Sequence, residues 1–123
     1  MYADDDPYLP ELRRICLALP EATEVESWGR PTFRAGKMFA IFSALPEAPF
    51  GVIFKPAPEE MEALRNDPRF QAAPYYDPAS WIALDFEAAD VDWGEVAELM
   101  DASYRQVALK RMIAALDRRP AQM

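Results

Sequence analysis

Residues 32–55 read TFRAGKMFAIFSALPEAPFGVIFK, and the fold turns on how this stretch is divided. Thr32 to Ala35 and Met38 to Ala44 are two β-prone runs separated by Gly36 and Lys37. Gly36 has the permissive backbone that a tight reversal needs, so the pair reads as a hairpin. Leu45 to Pro49 is a proline-bounded loop, and Phe50 to Lys55 is the next strand. Strict alternation along the second run sends Met38, Ala40 and Phe42 to one face and Phe39 and Ile41 to the other, which makes both faces apolar. An antiparallel sheet with one solvated face would show a polar set there. Something is therefore expected to cover the second face: the aromatic loop around Tyr75 and Tyr76, a second copy of the chain, or a ligand.

Upstream of this stretch, Leu9, Leu12, Ile15, Cys16 and Leu19 recur at three- and four-residue spacing, the stripe of an amphipathic helix over residues 8–19 that must stop at Pro20. Residues 23–28 follow as a strand whose Glu24 and Glu26 suit an edge position, and Gly29, Arg30 and Pro31 break it. Downstream, Pro58, Glu59 and Glu60 followed by Met61 and Leu64 mark a short helix ending before Pro68. Phe70 to Tyr76 is irregular or weakly extended, confined to an edge by Pro74. Ser80 to Phe86 is a strand in which Trp81 and Ala83 alternate against Ile82, Leu84 and Phe86. Asp92 and Glu95 have capping-box spacing, flanked by Val91 and Val96 at the staple positions. The helix they start runs to about residue 118, roughly 39 Å at about 1.5 Å per residue, so a bend or break is expected near Asp101 to Ser103. This order predicts an α+β two-layer sandwich: an antiparallel sheet of about five or six strands with helices packed on one face. It forms one domain over residues 1–123, with residues 1–6 a frayed end.

The composition excludes several kinds of chemistry. The chain has 123 residues and no histidine, which removes Ser-His-Asp and Cys-His catalysis and His-ligated zinc. Its one cysteine, Cys16, excludes an intrachain disulfide and sits among Ile15, Leu17 and Leu19 as a core residue. No metal site and no cofactor are expected. No basic region followed by an apolar run opens the chain and no segment approaches a membrane span, so a cytoplasmic protein that does not engage membranes is expected.

The formal charge of −8 opposes generic affinity for phosphate backbones, yet it is strongly segmented. Residues 29–55 carry four bases and one acid, and residues 102–123 carry five bases and one acid, whereas the segments before each are acidic. Arg30, Arg34, Lys37 and Lys55 form one basic island; Arg105, Lys110, Arg111, Arg118 and Arg119 form the other. Either island can pair with the acidic segments on a solvated surface or serve as a binding surface.

Trp28-Gly29, Phe33, Gly36-Lys37-Met38-Phe39-Ala40, the strand ending in Lys55, Pro74 with Trp81 following, and Ser103-Tyr104 form an ordered set. In this order and spacing the chain resembles the MmcQ/YjbR family of small bacterial proteins, from about residue 8 to 116. The resemblance implies a fold similar to bacterial frataxin and secretion chaperones, and DNA binding as the function associated with the family. It singles out Trp28, Lys37, Lys55, Trp81, Ser103 and Tyr104. Trp28 and Trp81 read either as core or rim aromatics or as stacking surfaces for a base or flat ligand. Lys37 is a solvated turn residue or a phosphate contact, and Lys55 snorkels, pairs with an acid or contacts a ligand. Ser103 and Tyr104 are expected to lock the last helix onto the sheet through their hydroxyls.

With no catalytic constellation in view, the chain reads as a non-enzymatic binding protein, a monomer or weak homodimer. One reading is a nucleic-acid-binding module built on Trp28, Arg30, Arg34, Lys37, Lys55 and Trp81. The alternative is a chaperone-like module that binds a peptide, a partner protein or a small anionic ligand on the second face of the sheet. The helix start yields a first test. Asp92→Ala should lower stability by about 0.5–2 kcal/mol in chemical denaturation. An unchanged midpoint and slope would mean that the cap lies elsewhere.

Overall fold

Two tight reversals set the sheet. Ser27 pairs with Arg30 across a turn in which Gly29 has φ 75°, and the chain turns back again at Gly36 with φ 79°, both in the left-handed region that suits glycine. A computed structural model describes residues 7–27, 29–43, 50–73 and 76–118. In chain order the elements are α1 (Leu9–Leu17), β1 (Thr23–Ser27), β2 (Arg30–Ala35), β3 (Lys37–Ser43), β4 (Gly51–Phe54), a 3₁₀ turn (Pro58–Glu60) leading into α2 (Met61–Arg65), β5 (Phe70–Gln71), β6 (Ile82–Asp85), α3 (Trp93–Val107) and α4 (Lys110–Asp117). The strands form one antiparallel six-stranded sheet in the order β1-β2-β3-β4-β6-β5, with Glu-bearing β1 at one edge and two-residue β5 at the other. The expected α+β architecture is the one observed. The expected loop at 45–49, Trp28, Pro74, Tyr75 and the N-terminal six residues lie outside the described residues.

Arg30 and Pro31 do not break the chain as expected; they begin β2. Pro31 lies opposite Glu26, while the pairing of β2 with β3 begins at Thr32, so the missing proline N–H interrupts no bond to β3.

A second departure from simple alternation lies in β3. Phe33 pairs with Ala40 and Arg34 with Met38, leaving Phe39 as one extra residue on β3. The resulting bulge puts Phe39, Ala40 and Phe42 in the core under the helices, while Met38 and Ile41 turn to the other face. Strict alternation had put Met38 with Ala40, and the bulge reverses that.

The last β3–β4 pair is Ala40 with Phe54. Beyond it the ladder is continued by Ser103 of α3. Its Oγ accepts from the Lys55 backbone N–H at 2.9 Å and donates to the Phe39 carbonyl. The neighbouring Tyr104 donates its hydroxyl to the Pro20 carbonyl at 2.7 Å and sets its ring edge-on to Phe39, 5.7 Å between centroids. Adjacent residues of one helix thus hold both the sheet and the connection out of α1. Leu9, Leu12, Cys16, Val96 and Met100 complete this layer against Phe33, Phe42, Phe54 and Phe86. Each large apolar side chain so buried contributes about 1.5–3 kcal/mol relative to exposure.

α3 begins where predicted, with the Asp92 carboxylate accepting from the N–H groups of Gly94 and Glu95. The other half of the expected box is differently employed, because the Glu95 carboxylate accepts from Arg69. The bend also falls later than predicted. Asp101 stays within a continuous helix, paired with Arg105 one turn on, and the break comes at Ala108 and Leu109, both extended. Those two residues reorient the chain so that Met112 is buried, while Arg105 reaches across to Asp117 of α4.

Replacing Ser103 with Ala leaves the buried Phe39 carbonyl and the Lys55 N–H without their partner. The expected loss is about 2–4 kcal/mol, read as a lower denaturation midpoint with an unchanged slope. An Ala variant of wild-type stability would show that the hydroxyl does not splice the two strands.

Candidate functional site

β2 carries Arg30, Thr32 and Arg34 at alternate positions, and alternate residues of a strand share a face. The register places Ser27 opposite Arg30, Ile41 opposite Thr32 and Met38 opposite Arg34. All of these lie on the face away from α1 and α3. The bulge matters here, because it is what brings Met38 to this side beside Arg34.

The second face is covered across its other half. Ile41, Ile53, Ala73 and Ala83 are buried there, with Met38, Tyr76 and Trp81 packed against them. Tyr76 and Trp81 contact each other with centroids 5.5 Å apart. Of the three covers the sequence left open, the aromatic loop around Tyr75 and Tyr76 is represented here by Tyr76, joined by Trp81, with Tyr75 outside the described residues. Where it stops, a hollow of about 630 Å³ opens, lined by Ser27, Arg30, Thr32, Arg34, Met38, Ile41 and Tyr76. Thr32 and Ile41 form its buried floor. The Thr32 hydroxyl is already engaged, donating to the Val25 carbonyl at 2.5 Å and accepting from Arg34 Nε at 3.4 Å.

The arginines of the hollow differ from the other half-buried arginines. Four described arginines are half-buried: Arg13, Arg30, Arg34 and Arg69. Arg13 makes a two-pronged pair with Glu24 at 2.6 and 2.9 Å, and Arg69 binds both Glu95 and Asp67. The hydrogen bonds from Arg69 in turn hold the Asp67 carboxyl below the usual range. Among the described residues no carboxylate lies within ion-pair distance of Arg30 or Arg34. The C-terminal basic island takes the solvated alternative in part: Arg105 pairs with Asp101 and Asp117, and Arg111 with Glu21.

The site residues drawn from the sequence do not converge on one place. Arg30 and Arg34 line the hollow together. Lys37 is exposed at the hairpin turn, and its pairing with Ala35, a core residue, puts it on the helix side. Lys55 directly follows β4, half-buried, outside the lining. Trp81 is half-buried behind Tyr76 and lines a separate hollow of about 160 Å³ with Phe70 and Ile82. Trp28 lies outside the described residues. Ser27, Thr32 and Ile41 were not singled out as site residues. The period-two spacing of Arg30, Thr32 and Arg34 was the signal available for them, and the assumed break at Arg30-Pro31 hid it.

Cys16 is fully buried, and burial pushes its thiol well up from the ordinary range, with the Glu24 charge adding to the shift. Among the described residues no group of three acidic, cysteine or histidine side chains could hold a metal ion. No helix among them is long and apolar enough to cross a membrane.

An antiparallel sheet clad by helices on one side, with an aromatic segment and a cationic hollow among the described residues of the other, defines an α+β fold. The YjbR family model matches residues 17–106, and the chain belongs to the YjbR family. Among solved structures it is similar to protein DR2400 of Deinococcus radiodurans, a DUF419 domain, with TM-score 0.71 and 21% identity over 89% of this chain and 87% of that one. It is also similar to a Pseudomonas syringae protein, Northeast Structural Genomics Consortium target PsR293, with TM-score 0.57 and 17% identity over 71% of this chain and 87% of that one. At these identities the likeness is one of fold. No curated protein matches the chain.

The buried thiol can be tested directly. At a pH of about 8, a disulfide reagent should modify native Cys16 at least about tenfold more slowly than the urea-unfolded chain, whose thiol has the ordinary pKa of about 8.5. A raised native pKa also means that the stability tied to the neutral thiol is present below about pH 8.5 and lost as pH rises above it. Equal modification rates in the native and unfolded chain would place Cys16 at the surface.

Proposed function

We propose that the protein is a non-enzymatic binding module that takes an organic anion with an apolar body into the hollow between β2, β3 and Tyr76. The observation that carries this reading is the pair of half-buried arginines without a carboxylate partner among the described residues, in a chain holding 21 acidic residues. Charge-assisted hydrogen bonds to an anion contribute about 1.5–3 kcal/mol each, and a guanidinium can present two parallel N–H donors to a carboxylate or phosphate. Met38, Ile41 and Tyr76 offer the apolar surface beside them.

Nucleic-acid binding is the second reading, and the same two arginines favour it. With Lys37 on the helix side and Lys55 outside the hollow, this reading rests on two cations. Its affinity for duplex DNA would then follow salt with a log–log slope of about −2.

The test is a fluorescence titration with anilinonaphthalene sulfonate, an aromatic anion, beside fluorescence anisotropy with single- and double-stranded oligonucleotides at several salt concentrations. The expected outcome is saturable dye binding that weakens about tenfold or more in the Arg30→Ala/Arg34→Ala double variant, with thermal stability retained, and oligonucleotide binding no tighter than about 100 μM at low salt. Dye binding unchanged in the double variant overturns the anion reading. Tight oligonucleotide binding that depends on the same two arginines replaces it with the nucleic-acid one.

A further inference from the structure

The register along β2 sets out the hollow in three rows. Arg30 stands at one end opposite Ser27, Thr32 lies in the middle beside Ile41, and Arg34 stands at the other end beside Met38. Four residues of extended strand separate the two arginine Cα atoms by roughly 13 Å. The floor is thus cationic, uncharged and cationic in succession, and the middle row is the buried one, with Thr32 and Ile41 at 2% and 1% exposure. The Thr32 hydroxyl is turned to the Val25 carbonyl and Arg34, which leaves its methyl and Ile41 as the middle of the floor. Tyr76 bounds the hollow where the aromatic cover ends.

Resting on the anion-binding reading above, we propose that the ligand is two-headed: an organic diacid whose two anionic ends meet Arg30 and Arg34 separately, with an apolar middle lying over Ile41 beside Tyr76. A single compact anion matches this face poorly, because Arg34 already leans on the Thr32 hydroxyl while Arg30 would have to leave its own row to meet the same anion over an apolar centre. That arrangement would draw two like charges together and leave Ile41 and Met38 unmatched. A diacid complements each row in turn, with charge at both ends and hydrocarbon between them. The four-residue spacing acts as a length gauge, since a chain too short to reach both ends satisfies one arginine only.

The experiment is calorimetric titration of the full chain with straight-chain diacids from succinate to dodecanedioate, each compared with the monoacid of the same carbon number. Affinity is expected to rise along the diacid series to a maximum once the chain spans the two guanidinium groups, where the diacid binds at least about tenfold more tightly than its monoacid. Arg30→Gln and Arg34→Gln should each bring that diacid to the monoacid's affinity, with unchanged melting temperature. The diacid-to-monoacid comparison is made on the unaltered protein, so it decides the matter even if a variant misfolds. Equal affinities of diacid and monoacid at every length overturn the two-headed ligand. If anilinonaphthalene sulfonate still binds in an arginine-dependent manner in that case, the broader anion reading stands. If no anion in either series binds and the dye does not bind, both readings fall.

Discussion

One extra residue in β3 organises this molecule. With Phe39 inserted against β2, the pairing of β3 with β4 ends at Ala40 and Phe54, and the next carbonyl and N–H would face each other unbonded in the interior. The Ser103 hydroxyl fills that gap as acceptor on one side and donor on the other. A hydroxyl can do both at once, and an apolar side chain could do neither. The contact fixes α3 in rotation and in register on the sheet, and Tyr104, the next residue, carries the fixation on to Pro20. The bulge therefore costs the sheet no unsatisfied backbone at this point, and it ties the longest helix to the sheet.

The same bulge shapes the opposite face. It sends two consecutive residues, Phe39 and Ala40, toward the helices and turns Met38 outward beside Arg34. Without it, Met38 would join the core and one wall of the hollow would be lost. The core layer and the candidate site are consequences of one local irregularity, as is usual for bulges that re-aim side chains beside functional surfaces.

Charge is distributed in keeping with this geometry. Several arginines near the helical layer meet carboxylates: Arg13 with Glu24, Arg69 with Glu95 and Asp67, Arg105 with Asp101 and Asp117. Several of these pairs join separate elements, Arg13 joining α1 to β1 and Arg105 joining α3 to α4. At partial exposure each contributes little individually, and their main effect is to define how the elements meet. Arg30 and Arg34 stand apart from this pattern, and their shared place in the hollow distinguishes them from Lys37 and Lys55.

Much of the architecture was legible along the chain, because burial imposes periods that survive in sequence. Three- and four-residue spacing marked α1 and α3, alternation marked β6, and Asp92 announced the start of α3 through the hydrogen bonds its side chain can accept. The aromatic cover of the second face was also among the sequence-level expectations, since an apolar set on both sides of a strand demands one. The bulge was not legible, because the insertion is defined against a partner strand and strict alternation within β3 is blind to it. Arg30 and Pro31 read as a breaker because proline opposes pairing in isolation; only the register, with the pairing of β2 to β3 starting at Thr32, shows that this proline interrupts no bond to β3. The placement of the helix break at Ala108–Leu109 belongs to the same class, since neither residue is a helix breaker and the turn serves contacts made by Arg105 and Met112 elsewhere. Sequence alone thus determined most of the helical and strand segments and which residue types could meet an anion. Tertiary structure decided that Arg30 and Arg34 share one hollow while Lys37 and Lys55 do not, because strand register and the bulge assign each side chain to a face.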